Sequence, residues 1–250
     1  MTESLPEIAL QVVELADWIW VYLILITGAF LQSVIGFGLG LLCAPVLFLI
    51  SPQLVPAPMI LNALLLTLLI SIRNRDAIHL KQTSFSILGG TAGVLTAGAV
   101  MLFLEPHHYR LLFGISIILA VLLSVVGVKP TIGVASNLIA SLMSGFMGTT
   151  TSAGGAPMGL LYQTVEQRQI KANLSVFFLY INSLGIIVLW FTGSAGAQDL
   201  VLFLKCMPAI MLGWVLSGLI SHRIHSEMLR ILILLVALLS GISSIFMQGS

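Results

Sequence analysis

Apolar residues fill this chain in long blocks, and short polar intervals separate them. A helix that crosses a membrane requires roughly 20 apolar residues, each rising 1.5 Å. On that measure six blocks are single spans: Ala57–Ile72, Thr83–Leu104, Tyr109–Val128, Ala172–Gly193, Leu200–Ile220 and Met228–Met247. Two blocks are longer. Trp18–Ile50 is an unbroken apolar run of 33 residues, with Gly36-Phe37-Gly38-Leu39-Gly40 at its centre and Pro45 beyond. The second runs from Thr131 to about Gln163. Its centre reads Gly148-Thr149-Thr150-Thr151-Ser152-Ala153-Gly154-Gly155-Ala156-Pro157. Glycine and proline at membrane depth free backbone polar groups that hydrocarbon cannot satisfy, so such breaks persist only against protein or a wet cavity. Each long run is therefore predicted to enter, break, and return as a half-helix.

The long runs also align with each other. Gly36 pairs with Gly148 and Ala44-Pro45 with Ala156-Pro157 at an offset of 112, while Gly93, Gly98 and Arg110 pair with Gly213, Gly218 and Arg230 at 120. An insertion of eight residues reconciles the two offsets. Lys and Arg in short loops mark the cytoplasmic side. Arg73, Arg75, Lys81, Lys129, Arg168, Lys171, Arg223 and Arg230, eight of the ten basic residues, fall on one side if each broken run returns to the face it left. Loops 51–56 and 193–198 carry none, and Arg110 beside Glu105 is left to the outer side. Matching loops thus carry opposite bias.

The expected fold is an all-α polytopic membrane protein of about eight helical segments. It comprises two inverted-topology repeats, each a broken, re-entrant helix plus three spanning helices. Residues 1–17 form an acidic extracytoplasmic segment, 18–128 the first repeat and 131–247 the inverted second, together one transport domain. Both termini are expected outside the bacterial cytoplasmic membrane. Inverted repeats with broken helices are an architecture of secondary transporters.

Composition narrows the classes further. Charged residues are 8% and hydrophobic ones 58%, with a mean hydropathy of +1.12. A soluble domain carries about 25% charged residues and could not hide so much apolar surface. A net charge of +1 offers no footprint for nucleic acid. Cys43 and Cys206 stand far apart in apolar surroundings and suggest neither a disulfide framework nor a metal cluster. The first 17 residues contain Glu3, Glu7, Glu14 and Asp17 but no Lys or Arg, so no cleaved leader is expected. The partner implied is the bilayer, and a homo-oligomer stays open.

The pattern resembles the sulfite exporter TauE/SafE family. The matching features are Gly36 to Pro45, the loop Arg73-Asn74-Arg75-Asp76-Ala77-Ile78, the Gly93 and Gly98 spacing, and the stretch Gly148 to Pro157. Gln167-Arg168-Gln169-Ile170-Lys171-Ala172-Asn173, running into Phe177-Phe178, adds to them. The resemblance covers nearly the whole chain after Asp17 and implies export of sulfite or organosulfonates.

The residues support an anion independently. Helix N-termini present unpaired N–H groups and about half a positive charge, and two broken helices would aim two of them at one cavity. Candidate binding residues are Gly36, Phe37, Gly38, Gly40, Pro45, Gly148, Gly154, Gly155 and Pro157, with four consecutive hydroxyl donors at Thr149, Thr150, Thr151 and Ser152. Gln32, Asn62 and Asn182 either line the cavity or bond between helices. Gly89, Gly90, Gly93, Gly98, Gly213 and Gly218 suit close helix packing. Lys205 is the lone ionisable residue well inside a span. It is either a vestibule charge or a side chain that snorkels or pairs with Asp199.

No metal or cofactor site is expected, since His79, His107, His108, His222 and His225 fall in loops without partner ligands. Enzyme motifs such as H-E-x-x-H and G-x-S-x-G are lacking. No carboxylate occupies the middle of a span, so export driven by the membrane potential is expected. A transporter of another solute and a non-transporting partner subunit remain as alternatives.

Overall fold

A computed structural model describes residues 5–78, 80–125, 130–220 and Leu239. Among the described residues it is all helical: α1 (Leu5–Ile35), α2 (Leu39–Ile50), α3 (Ala57–Arg73), α4 (Leu80–Phe103), α5 (Pro106–Val125), α6 (Val134–Thr151), α7 (Gly155–Tyr162), α8 (Gln167–Phe191) and α9 (Ala197–Ile220). That makes nine helices among the described residues, with each over-long run counted as two because it breaks as expected. The expected span Met228–Met247 lies outside the described residues.

Helix α1 begins at Leu5, thirteen residues before the apolar run does. Hydropathy reports where a helix can meet lipid, not where it starts. Nothing after Pro6 breaks helical geometry, and a proline in the first turn costs no hydrogen bond. Among the described residues five helices are long and apolar enough to cross a membrane, over Asp17–Ile35, Phe85–Phe103, His108–Val125, Arg168–Phe191 and Ala197–Leu219. The outward surface is apolar too, with Phe103 and Phe191 exposed by 87% and 84% and Leu88, Leu95, Leu122 and Trp190 facing out beside them. A water-facing surface of that kind would aggregate; against lipid it is the expected exterior. This is a multi-pass membrane protein.

Both breaks are hairpins. The Cys43 thiol donates to the Ile24 carbonyl at 3.3 Å, and Gly28 faces Leu39 and Cys43, so α2 runs back along α1. In the other, Gly154 lies against Ser144 and Gly148, so α7 turns back along α6. Chain reversal requires left-handed backbone, and Gly36 (φ 103) and Ser152 (φ 63) supply it. At Ser152 that conformation is uncommon for a side chain other than glycine or asparagine.

The packing repeats itself. Helix α4 lies on α6, and α9 lies on α1; α4 also meets α8, and α9 meets α3. Gly93 presses on the Leu142 carbonyl and Phe146 N–H, while Gly213 presses on the Ile26 carbonyl and Phe30 N–H. The small-residue reading of these glycines holds. Helices α3 and α8 pair with each other, antiparallel. Ser71 near the end of α3 donates to Ser175 near the start of α8 at 2.9 Å, and Ala57 and Ile60 pack with Leu189.

These contacts revise the register between the halves. Ile26, Phe30 and Gly36 correspond to Leu142, Phe146 and Ser152, an offset of 116 and not 112. Gly93 and Gly213 keep 120. Pro45 is the seventh residue of α2 and Pro157 the third of α7, so the prolines that set the offset of 112 stand one helical turn out of step.

Candidate functional site

The two breaks cross beside one another. Gly40 abuts the Ser152 carbonyl and Ala153 so closely that a Cβ there would overlap the carbonyl. The Phe37 ring lies over α7, where Cβ atoms on Gly159 and Gly155 would fall 2.5 and 3.1 Å from it. Each break is also anchored at its far side by a segment distant in the chain. Gly36 lies against the backbone and stem of Lys171 at the start of α8. Ser152 donates its hydroxyl to the Pro56 carbonyl, just before α3, at 3.0 Å.

A narrow cleft follows the crossing. Gln32, Phe37, Gly38, Gly40 and Leu41 line it from the first broken helix, and Ser144, Gly148, Ser152, Gly154 and Gly155 from the second. Ala63 of α3 and Phe178, Ile181 and Asn182 of α8 complete the wall. The space open to a water-sized sphere is about 30 Å³, room for about two waters. No charged side chain is among the lining residues.

Polar side chains brace each break. The Leu39 N–H, first of α2, donates to Gln32 Oε1 at 3.0 Å. Ser144 donates to the Gly154 carbonyl at 2.5 Å. Gly40 and Gly155, in the first turns of α2 and α7, line the cleft, and N–H groups in the first turn of a helix lack partners within it.

Nine sequence-predicted residues therefore meet here: Gln32, Phe37, Gly38, Gly40, Gly148, Ser152, Gly154, Gly155 and Asn182. Gly36, Pro45 and Pro157 shape the hairpins without reaching the wall. The threonines lie elsewhere than expected. Thr149, Thr150 and Thr151 form the buried last turn of α6, where Thr150 donates to the Phe146 carbonyl at 2.9 Å and Thr151 to the Met147 carbonyl at 2.7 Å. A threonine hydroxyl inside a helix finds the carbonyl one turn back before it finds a ligand. Thr149 Oγ1 and Asn62 Oδ1 are buried without a protein partner among the described residues, and neither belongs to the wall. Tyr109 adds an outer brace, donating to the Thr150 carbonyl at 2.9 Å.

Lys205 is not brought to the cleft. Its ammonium lies 5.5 Å from the centre of the Trp18 ring, on an exposed face of α9. Asp199 accepts from the Gly196 N–H at 2.7 Å and caps α9. Lys205→Gln is accordingly expected to leave the rate and half-saturation of anion flux unchanged, measured in vesicles. Among the described residues no group of three His, Cys, Asp or Glu side chains could hold a metal.

The residues missed by the sequence reading are Leu41, Ala63, Ser144, Phe178 and Ile181. One signal was present: Ser141, Ser144, Gly148 and Ser152 recur at helical spacing as a small, polar stripe along one face of α6.

Broken helices meet on an uncharged cleft inside a bundle with an apolar exterior, an arrangement that membrane transporters use. The chain belongs to the sulfite exporter TauE/SafE family, whose model matches residues 21–244. None of the curated proteins and none of the solved structures compared with the chain matches it.

Proposed function

We propose that this protein exports small sulfur-containing anions, sulfite or sulfonates such as sulfoacetate, from the cytoplasm across the bacterial cytoplasmic membrane. The substrate passes through the cleft at the crossing of the two breaks, near the midplane. One observation carries this reading: the starts of α2 and α7, from opposite halves, open on a single cleft whose polar lining is uncharged. Two positive helix ends attract an anion, and neutral donors such as Ser152 and Asn182 orient its oxygens without holding it as a fixed cation would.

The two halves act as inverted copies. Support comes from the exchange of α1, α3 and α4 with α6, α8 and α9 in the packing and from the antiparallel pairing of α3 with α8. An axis in the membrane plane reverses equivalent helices in this way. The cleft is narrow, so passage of the anion requires the halves to rock and widen it.

The test is efflux of sulfite and sulfoacetate from proteoliposomes holding the purified protein, with an imposed potential and no pH gradient. Saturable efflux that rises with the potential is the expected result. Absence of efflux of either anion from folded protein would overturn the reading, and would favour another solute or a partner-subunit role.

A further inference from the structure

The two mouths of the cleft differ in charge although the surrounding packing repeats. At the Ser152 end the anchor is the Pro56 carbonyl. Loops 51–56 and 193–198 bring no Lys or Arg to that side. Arg110 is exposed on α5, and Lys205 is exposed on α9 beside Trp18, away from the cleft. At the Gly36 end the anchor is Lys171, whose backbone and stem lie against Gly36, the residue before Phe37 of the wall. Lys171 is half-buried.

Its surroundings are cationic. The end of α3 meets the start of α8, where Ser71 donates to Ser175 at 2.9 Å, and this brings Arg73 to the same end of the fold as Lys171. The Arg73 guanidinium donates to the Ser217 hydroxyl and the Trp214 carbonyl, both at 2.9 Å, and lies 4.0 Å from the centre of the Trp214 ring. Neither cation has a carboxylate within ion-pair reach among the described residues. The nearby Asp76 pairs with Arg168, and Glu166, exposed before α8, makes no ion pair there. Lys171 also stands in the second turn of α8, on the side where the helix dipole opposes a cation. Topology accounts for basic residues on this side but not for two that no described carboxylate pairs, and a mobile anion supplies the missing charge.

Resting on the export reading for its substrate, we infer that Lys171 and Arg73 form an anion-collecting mouth at this one end of the cleft. The α3 end (Arg73) and the α8 start (Lys171) come from opposite halves, so the mouth is assembled where they meet. Sulfite or a sulfonate gathers there before entering past Phe37, and leaves through the neutral mouth beside Pro56. The asymmetry makes half-saturation side-dependent.

Initial sulfite flux is to be measured in proteoliposomes sorted for one orientation, loading from each side in turn. Wild-type protein is expected to half-saturate at a lower concentration on the Lys171 side. Lys171→Gln is expected to raise that value about tenfold at low salt with little change in maximal rate, the difference shrinking in high salt. Lys171→Arg should restore it. A separate titration in detergent follows the fluorescence of Trp214, with Trp214→Phe as the control. Sulfite should give a saturable change in the wild type that Lys171→Gln weakens.

Unchanged half-saturation and unchanged titration in Lys171→Gln would overturn the proposal, as would an equal defect in Lys171→Arg. Saturable binding lost in Lys171→Gln, with no wild-type flux, would keep the mouth and sink the export reading. Flux indifferent to Lys171 would do the reverse, and a wild type that neither binds nor transports sulfite would overturn both.

Discussion

Replacing Gly40 by alanine lowers anion efflux by about tenfold or more, and Gly40→Leu or Gly154→Leu abolishes it, with the protein still inserted and monodisperse. The reason is local. At Gly40 a single methyl would occupy the space of the Ser152 carbonyl, and at Gly154 it would come within 2.8 Å of the Gly148 Cα. These neighbours are backbone and cannot rotate away, so a side chain at Gly40 must part the two breaks and one at Gly154 must part α7 from α6. Overpacking of this kind costs about 1–3 kcal/mol, which removes most of the population from an arrangement that has to form in every cycle. The outer contacts between α4 and α6 and between α9 and α1 lie elsewhere and should hold the bundle together. Efflux from proteoliposomes, beside size-exclusion profiles of the same preparations, checks both halves of the claim. Normal flux in Gly40→Leu and Gly154→Leu would rule out the crossing as the path.

Gly38→Leu acts by another route. Nothing lies within 4 Å of a Cβ there, but Gly38 has φ 128, a conformation costing about 1–3 kcal/mol for any side chain. A defect is expected there as well, through backbone strain and not collision.

Much of this architecture is readable from run lengths. An apolar block too long for one span and too short for two can only break, and glycine marks where. The paired glycines Gly93 and Gly213 were legible for a similar reason, since close helix contact leaves no alternative to a small residue. Register was harder. The pairs Gly36/Gly148 and Pro45/Pro157 agree with each other in sequence, yet Ser152 and not Gly148 takes the left-handed turn that Gly36 takes. A serine is an unusual occupant of that conformation, so no sequence signal pointed to it. The threonines misled because a row of hydroxyls reads as a row of donors. Once α6 continues through Thr151, Thr150 and Thr151 donate to carbonyls of their own helix. Lys205 stood out for lying inside a span, while Lys171 was absorbed into the loop charge that sets topology. Only the fold brings Lys171 against Gly36 and close to Arg73.

Clamped membrane potential alone is expected to set the distribution of a permanently ionised substrate. An inside-negative potential of 100 mV contributes about 2.3 kcal/mol per charge, and each 1.36 kcal/mol is a factor of ten. A monovalent sulfonate should therefore reach about a 50-fold excess outside at equilibrium. A divalent anion should approach the square of that ratio. The cleft supports uncoupled movement because its wall holds no side chain that titrates near neutrality; a carboxylate relay would require an Asp or Glu there. Methanesulfonate is the suitable probe, as it stays ionised across the working range and any effect of pH must then arise in the protein. Vesicles with a fixed potential and pH varied equally on both sides should give the same final ratio. A ratio that follows a pH gradient at zero potential would show proton coupling, with its carrier outside the wall.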